Sequence, residues 1–330
     1  MATVFNTSNA NSQREDLANF ISNIVRDETP FMSSIGKTSA KALSHEWSTD
    51  ELAAPGDNNT AEGAGFPSTV STGPEITRLS NQAQIFTKSI EVSGSIEAVD
   101  KAGRKSEFKY QSEKRGKEIM RDIEWALTTG KGVKSTSGNR KMGGYQSWVP
   151  ASNTVNASGG AITLGSGNGS NVPTSAGTAA AFSLSQVDQV MQNCYENGGR
   201  PSTLMMSPRV KRLFSTAAQG QAANGNVRRN IDDSGKLRQS VEIYETDFGV
   251  VKVVPNYVMG ATGSGAGAPN AAADDNVLVY DASTFKMATL RPLHHRDISE
   301  DGDRLRALMV HECTLECNNP AANGLIDNLA

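Results

Sequence analysis

The spacing of apolar positions changes several times along the chain, and each change marks an element. The sharpest case is 92–127, VSGSIEAVDKAGRKSEFKYQSEKRGKEIMRDIEWAL. It reads as a strand end, a short turn and one long charged helix from about Ser106 to Thr128, with Gly130 suited to the C-cap. At 1.5 Å per residue that helix would run about 34 Å. Its apolar stripe is thin: Phe108 near the start, then Ile119, Ile123 and Leu127 at i, i+4, i+8, with Met120 alongside. Most other positions are Lys, Arg, Glu or Asp. Such a helix is too long and too polar for the centre of a compact core. It is expected to lie as a strut on a sheet, with a solvated or partner-facing side. Glu113–Lys117 and Lys114–Glu118 stand at i, i+4, pairs of a few tenths of a kcal/mol on a solvated face.

Upstream, 1–14 is small and polar and reads as a flexible arm. A short helix is expected over 15–25, with Leu17, Phe20, Ile21 and Ile24 on one face, ended by Thr29-Pro30, after which Phe31, Met32 and Ile35 form an anchor. Strands are expected over 43–52 and 77–92. About twenty Ala, Gly, Pro, Asn and Thr residues lie between them, a length improbable for a structureless loop inside a compact domain. Neither strand shows a clean apolar face: Ile85 alternates with Thr87 and Ser89, and Phe86 with Lys88 and Ile90. A lone hairpin is marginal in water, so this arm is expected to project and pack on a neighbouring molecule.

A second body begins near Phe182. A helix carries Leu184, Val187, Val190, Met191 and Cys194 and stops at Gly198-Gly199; a short strand at 201–207 and a helix opened by Pro208 follow. A hairpin is expected over 241–254, a Gly/Ala loop over 260–273, and strands over 277–280, 286–290 and 306–317. Strands and helices mix without strict βαβ alternation, which points to an α+β fold.

A length of 330 residues allows one large or two modest domains, and 37% apolar residues suffice for a real core. The net charge of −3 argues against a protein that coats nucleic acid. Cys194, Cys313 and Cys317 are too few and too odd in number for a disulfide framework, and fit a reducing compartment. Met1 to Ala10 has no signal-peptide core, and no apolar run approaches a membrane span.

Several chemistry-like strings fail on context. Gly36-Lys37-Thr38 resembles the end of a phosphate-binding loop, but the first Gly of that motif falls on Phe31. Ser34-Ile35-Gly36-Lys37 spells a short serine–lysine pattern and reads as a turn. Gly263, Gly265 and Ala268 follow a strand, yet Pro269 and the next strand leave no room for the helix a dinucleotide needs. Asp247-Phe248-Gly249 is a hairpin turn. His311, Cys313 and Cys317 share a strand face, but the two thiols would stand about 13 Å apart, too far for one zinc ion. His294-His295 adds no ligand spacing, and the acidic 300–303 turn lacks further cation ligands. No catalytic, cofactor or metal set can be assembled.

The chain resembles the SU10-like major head proteins of tailed bacteriophages. The matching strings are ETPFMSSIG at 28–36, SHEWSTDELAAPG at 44–56, Glu62-Gly63 and SGSIEAVDKAGRKSEFKYQSEKRGKEIMRDIEWAL at 93–127. They continue with Gly143-Gly144, Phe248-Gly249, LRPL at 290–293, Gly302-Asp303 and ECTLE at 312–316. The resemblance implies the HK97-like fold: an N-arm over 1–35, an extended E-loop over 36–94, a P-domain with spine helix over 95–150, an A-domain over 151–275 with the 218–240 loop near the capsomer axis, and a return to the P-domain over 276–330. It implies self-assembly into pentamers and hexamers of an icosahedral head around double-stranded DNA, contacted non-specifically. The expected partners are a portal protein, a separate scaffolding protein and decoration proteins, with assembly in the host cytoplasm, a place in the virion, no membrane and no enzymatic activity. Lys88 falls in the E-loop, where a surface lysine is the default reading. Two rivals are an encapsulin-like cargo shell and a hydrolase with a site near Asp247 or Glu300.

Overall fold

The computed structural model describes residues 28–57, 59–65, 75–99, 105–128, 132–136, 138–220, 241–260, 276–299 and 302–329. The arm and helix expected over 1–25, Gly130, and nearly all of the 218–240 and 260–273 loops lie outside the described residues. The first elements are α1 (Pro30–Ser34), β1 (Gly36–Ser39), β2 (Ser44–Thr49), β3 (Thr77–Gln82), β4 (Gln84–Ser93), α2 (Gly94–Ala98) and α3 (Glu107–Thr128). Next come α4 (Tyr145–Trp148), β5 (Thr154–Asn156), β6 (Ile162–Thr163), β7 (Thr174–Ser175), α5 (Leu184–Glu196), β8 (Thr203–Met206) and α6 (Pro208–Gly220). The chain finishes through β9 (Ile243–Thr246), β10 (Gly249–Pro255), β11 (Val277–Tyr280), β12 (Phe285–Ile298), β13 (Arg304–Cys317) and β14 (Gly324–Asp327).

Two sheets organise the core. The four-stranded sheet has the order β1-β12-β13-β4, with β1 parallel to β12 and the other pairs antiparallel. Helix α3 lies across β4 and β13. Its fully buried Ile119, Ile123 and Leu127 join Phe86, Ile90 and Val92 of β4 and Ala307, Met309 and Cys313 of β13 in one apolar cluster. Each large side chain taken from water there contributes about 1.5–3 kcal/mol. The helix starts where Ser106 Oγ accepts from Lys109 N, and Glu97 of α2 accepts from the backbone N–H of Glu107 and Phe108.

The second sheet has the order β5-β14-β11-β8-β10-β9. Alternation divides its central strands cleanly. Val277 and Val279, Leu204 and Met206, and Ile326 face α5 and α6; Leu278, Tyr280, Met205 and Leu325 face the cluster beneath α3. All four residues of β11 are therefore buried. Phe31 joins the two layers, its ring lying 5.1–6.0 Å from those of Tyr280, Phe285 and Tyr145. The Tyr145 hydroxyl sits between the carbonyls of Val279 and Gly324, at 2.9 and 2.8 Å, and donates to one at a time.

Three expectations are corrected. The strand expected over 77–92 is two strands broken at Ala83, and the second belongs to the main sheet rather than to a projecting arm. Lys88, which spoiled its apolar pattern, points to the helix and pairs with Asp122 at 2.7 Å. The polar strut is central after all: the C-terminal half of α3 passes through the larger core, with Glu124 wholly buried. The strand expected over 286–290 runs on to Ile298, because β13 pairs with it across two register shifts between Thr289 and His294.

Candidate assembly surfaces

The strings weighed as chemistry fall in ordinary places. Gly36–Ser39 is β1, a strand where the sequence pointed to a turn. Gly249 closes the β9–β10 hairpin at φ +151. His311, Cys313 and Cys317 lie on the α3 side of β13 and are buried. Burial, helped by the charge of Glu312, pushes the Cys313 thiol up to about 12. Burial also raises the Cys317 thiol and lowers the His311 imidazole, which the nearby His294 lowers further. His294 and His295 are exposed on opposite faces of β12. Among the described residues no group of three or more His, Cys, Asp or Glu could hold a metal ion. Gly263, Gly265, Ala268, Glu300 and Asp301 lie outside the described residues.

One organising residue escaped sequence reasoning. Thr29 gives α1 no side-chain cap. The orphan N–H groups of its first turn instead reach Glu124: Phe31 N donates to Oε1 at 2.7 Å and Met32 N to Oε2 at 2.8 Å. Asn256 Nδ2 donates to the same Oε1 at 2.7 Å. One buried carboxylate thus ties α1, the long helix and the residue after β10. Burial raises its pKa above the ordinary 4.5, and the three donors only partly oppose that rise.

The arm is bolted at its base and bare beyond it. The β2–β3 hairpin pairs from Ser44↔Gln82 to Thr49↔Thr77. Trp47 Nε1 donates to the carbonyl of Cys317 at 2.8 Å, and its ring lies 5.2 Å from that of Trp148. His45 meets Glu316 at 2.9 Å. Asn81, fully buried, donates to the carbonyls of Gly143 and Leu315. Past Thr49 the described residues to Gly65 are almost all exposed, and their hydrogen bonds are local. Leu52 is 97% exposed, a large apolar side chain that no described residue covers.

The face of the four-stranded sheet turned away from α3 is lined with charge. Glu312, 3% exposed, is clasped by Arg140 at 3.0 Å and Arg291 at 2.6 Å. Glu316 stands between His45 and Lys286, and Glu91 of β4 between Arg304 and Arg306. Past Thr289, β12 has no strand on its outer side among the described residues. That edge carries Pro292, His294, His295, Arg296 and Asp297, which blunt indiscriminate strand pairing.

Comparison with known proteins agrees with this architecture. The family model for the SU10 major capsid protein matches residues 1–330. The major capsid protein of Escherichia phage Phieco32 is 24% identical over 358 residues, covering 98% of this chain and 96% of the relative. A solved structure from Mycobacterium phage Bobi superposes with a TM-score of 0.63 at 14% identity, covering 97% of both chains. The capsid of a native GTA particle gives 0.59 at 13% identity over 98% of both. The fold is the HK97-like capsid fold.

Proposed function

The chain belongs to the SU10 major capsid protein family, and from that premise we propose how it builds a phage head. It is a structural protein of the virion and not an enzyme; neither the cargo-shell nor the hydrolase reading finds support. Copies of it self-assemble into a multimeric capsid. In our reading the capsomers are pentamers and hexamers of an icosahedral head, and the genome inside is contacted non-specifically. The four-stranded sheet with α3 acts as the P-domain, and the six-stranded sheet with α5 and α6 as the A-domain. The segment beyond the β2–β3 hairpin serves as the E-loop laid on a neighbouring subunit. A portal, a separate scaffolding protein and decoration proteins complete the particle.

The observation that supports this reading best is the bare arm. A stretch whose described residues are exposed and bond only among themselves, yet which carries an uncovered Leu52, gains burial from another molecule. Many such modest contacts add up through multivalency. The test is size-exclusion chromatography followed by negative-stain electron microscopy of the purified protein. Closed shells, or rings of five and six, are expected. A monomer that stays monomeric with scaffolding protein and crowder present would overturn the reading.

A further inference from the structure

We infer that His311 makes the seat of α3 on β13 sensitive to acid: the neutral ring packs in the seam, and the protonated ring loosens the helix from the sheet. The device lies inside one subunit and is independent of how copies assemble.

His311 is 5% exposed, and neither Nδ1 nor Nε2 has a hydrogen-bond partner among the described residues. A buried imidazole left in that state forgoes the bonds that water would give it, and few buried polar groups are left so. The unbroken register of β13 with β4 puts Met309, His311 and Cys313 on one face. A Cβ at Gly116 of α3 would touch Met309 and Leu293, so that face is the one beneath the helix. Phe86 of β4 stands directly across from His311. Phe86, Met309 and Cys313 all belong to the larger apolar cluster, so the ring sits in a hydrophobic seam.

The charges around the seam are answered elsewhere. On β4, Lys88 shares the face of Phe86 and holds Asp122 of α3 at 2.7 Å. On α3, Arg115 holds Glu118 at 2.6 Å, Arg121 lies over the ring of Tyr257, and Glu113, Lys114 and Lys117 are exposed. Glu312, next to His311 in the chain, points to the opposite face, where Arg140 and Arg291 clasp it. On β12, His294 stands across from Val310, and its charge opposes a proton on His311. No carboxylate bonds the ring, so protonation adds an unpaired charge beneath the helix. Imidazolium has two N–H donors and no acceptor. Water can serve both donors only where α3 lifts from the sheet.

The direction with pH follows. Burial, helped by His294, holds the folded ring below its ordinary 6.5. The unfolded chain therefore takes up the proton first, and stability is lost as pH falls below that ordinary value. The buried carboxylate of Glu124 acts in the opposite sense, so each group is read against its own variant.

The test compares the full-length wild type with His311→Leu and His294→Gln in urea between about pH 8 and 5. Relative to His311→Leu, the folded-to-unfolded ratio of the wild type should fall on acidification by up to about tenfold per pH unit, the limit for one proton. His294→Gln removes an exposed ring and should move the onset to higher pH, a shift that packing alone would not give. Amide exchange at mildly acidic pH, corrected for intrinsic rate, should quicken in α3 and β13 of the wild type and not in β11 or α5. Parallel profiles of wild type and His311→Leu overturn the inference. Should His311→Leu fail to fold, His294→Gln decides, and an onset that stays in place overturns it. Exchange that quickens equally in both sheets also overturns it and assigns the acid loss to the whole subunit.

Discussion

The two sheets solve the same problem differently. The six-stranded sheet is covered on both faces at its centre, by α5 and α6 on one side and the α3 cluster on the other, and β11 presents only apolar and aromatic residues. The four-stranded sheet is covered by α3 on one face, and on the other only toward the Cys317 end of β13, where the β2–β3 hairpin lies and Glu312, Thr314 and Glu316 are buried. Its other face carries ion pairs, an exposed strand edge and the root of an uncovered arm. Apolar burial is non-directional and completes a subunit. Exposed charge adds little to the stability of one subunit but selects partners and register. The difference indicates that the centre of the six-stranded sheet is finished within one copy, while the outer part of the four-stranded sheet awaits another.

The strongest way to break this division is to remove the residue that joins the layers. Phe31→Ala should cost about 3–5 kcal/mol in urea unfolding of the subunit, because the cavity would open between Tyr145, Tyr280 and Phe285. Two separate transitions in place of one would mean that the sheets are independent units. A smaller loss, about 1–3 kcal/mol, is expected for Glu312→Ala. That change strands Arg140 and Arg291 with part of their charge inward, and a matching Arg291→Ala should recover some of the loss.

The pH dependence sharpens the contrast inside the core itself. Since the folded protein raises the pKa of Glu124, its contribution is fully present below the unfolded value near 4.5 and is lost as pH rises through the folded value. Urea midpoints of the wild-type subunit should therefore fall relative to those of Glu124→Gln as pH rises from about 4.5 toward neutrality. Parallel curves would assign the dependence elsewhere. The smallest effect on the subunit is expected on the outer face of α3. Glu113→Lys should shift stability by less than about 0.5 kcal/mol yet lower particle yield. Unchanged yield would make Glu113 a merely solvated residue.

Much of this was legible in the chain. Ser106 and the spacing of Ile119, Ile123 and Leu127 placed α3 within a residue at its start, because capping and periodicity are local properties. The Val-rich strands and Pro208 did the same for the second sheet. What escaped depends on distant partners. β4 was obscured by Lys88, whose charge is answered by Asp122 on the helix. The outer half of β12 has no apolar pattern of its own and is a strand only because β13 pairs with it. Glu124 gave no local sign, since the groups it caps lie 92 and 93 residues earlier. The charged face of the four-stranded sheet could not be read either, because two register shifts decide which side Arg291 and Arg296 occupy.

The most direct test of a four-stranded side completed by assembly is hydroxyl-radical footprinting of unassembled subunits against finished particles. Leu52 and Ile298 react readily in the subunit, being 97% and 40% exposed. The account predicts that both become protected together in particles, while Leu278 and Val279 of β11 stay unreactive in each. Leu52 and Ile298 reacting as fast in particles as in subunits would contradict it.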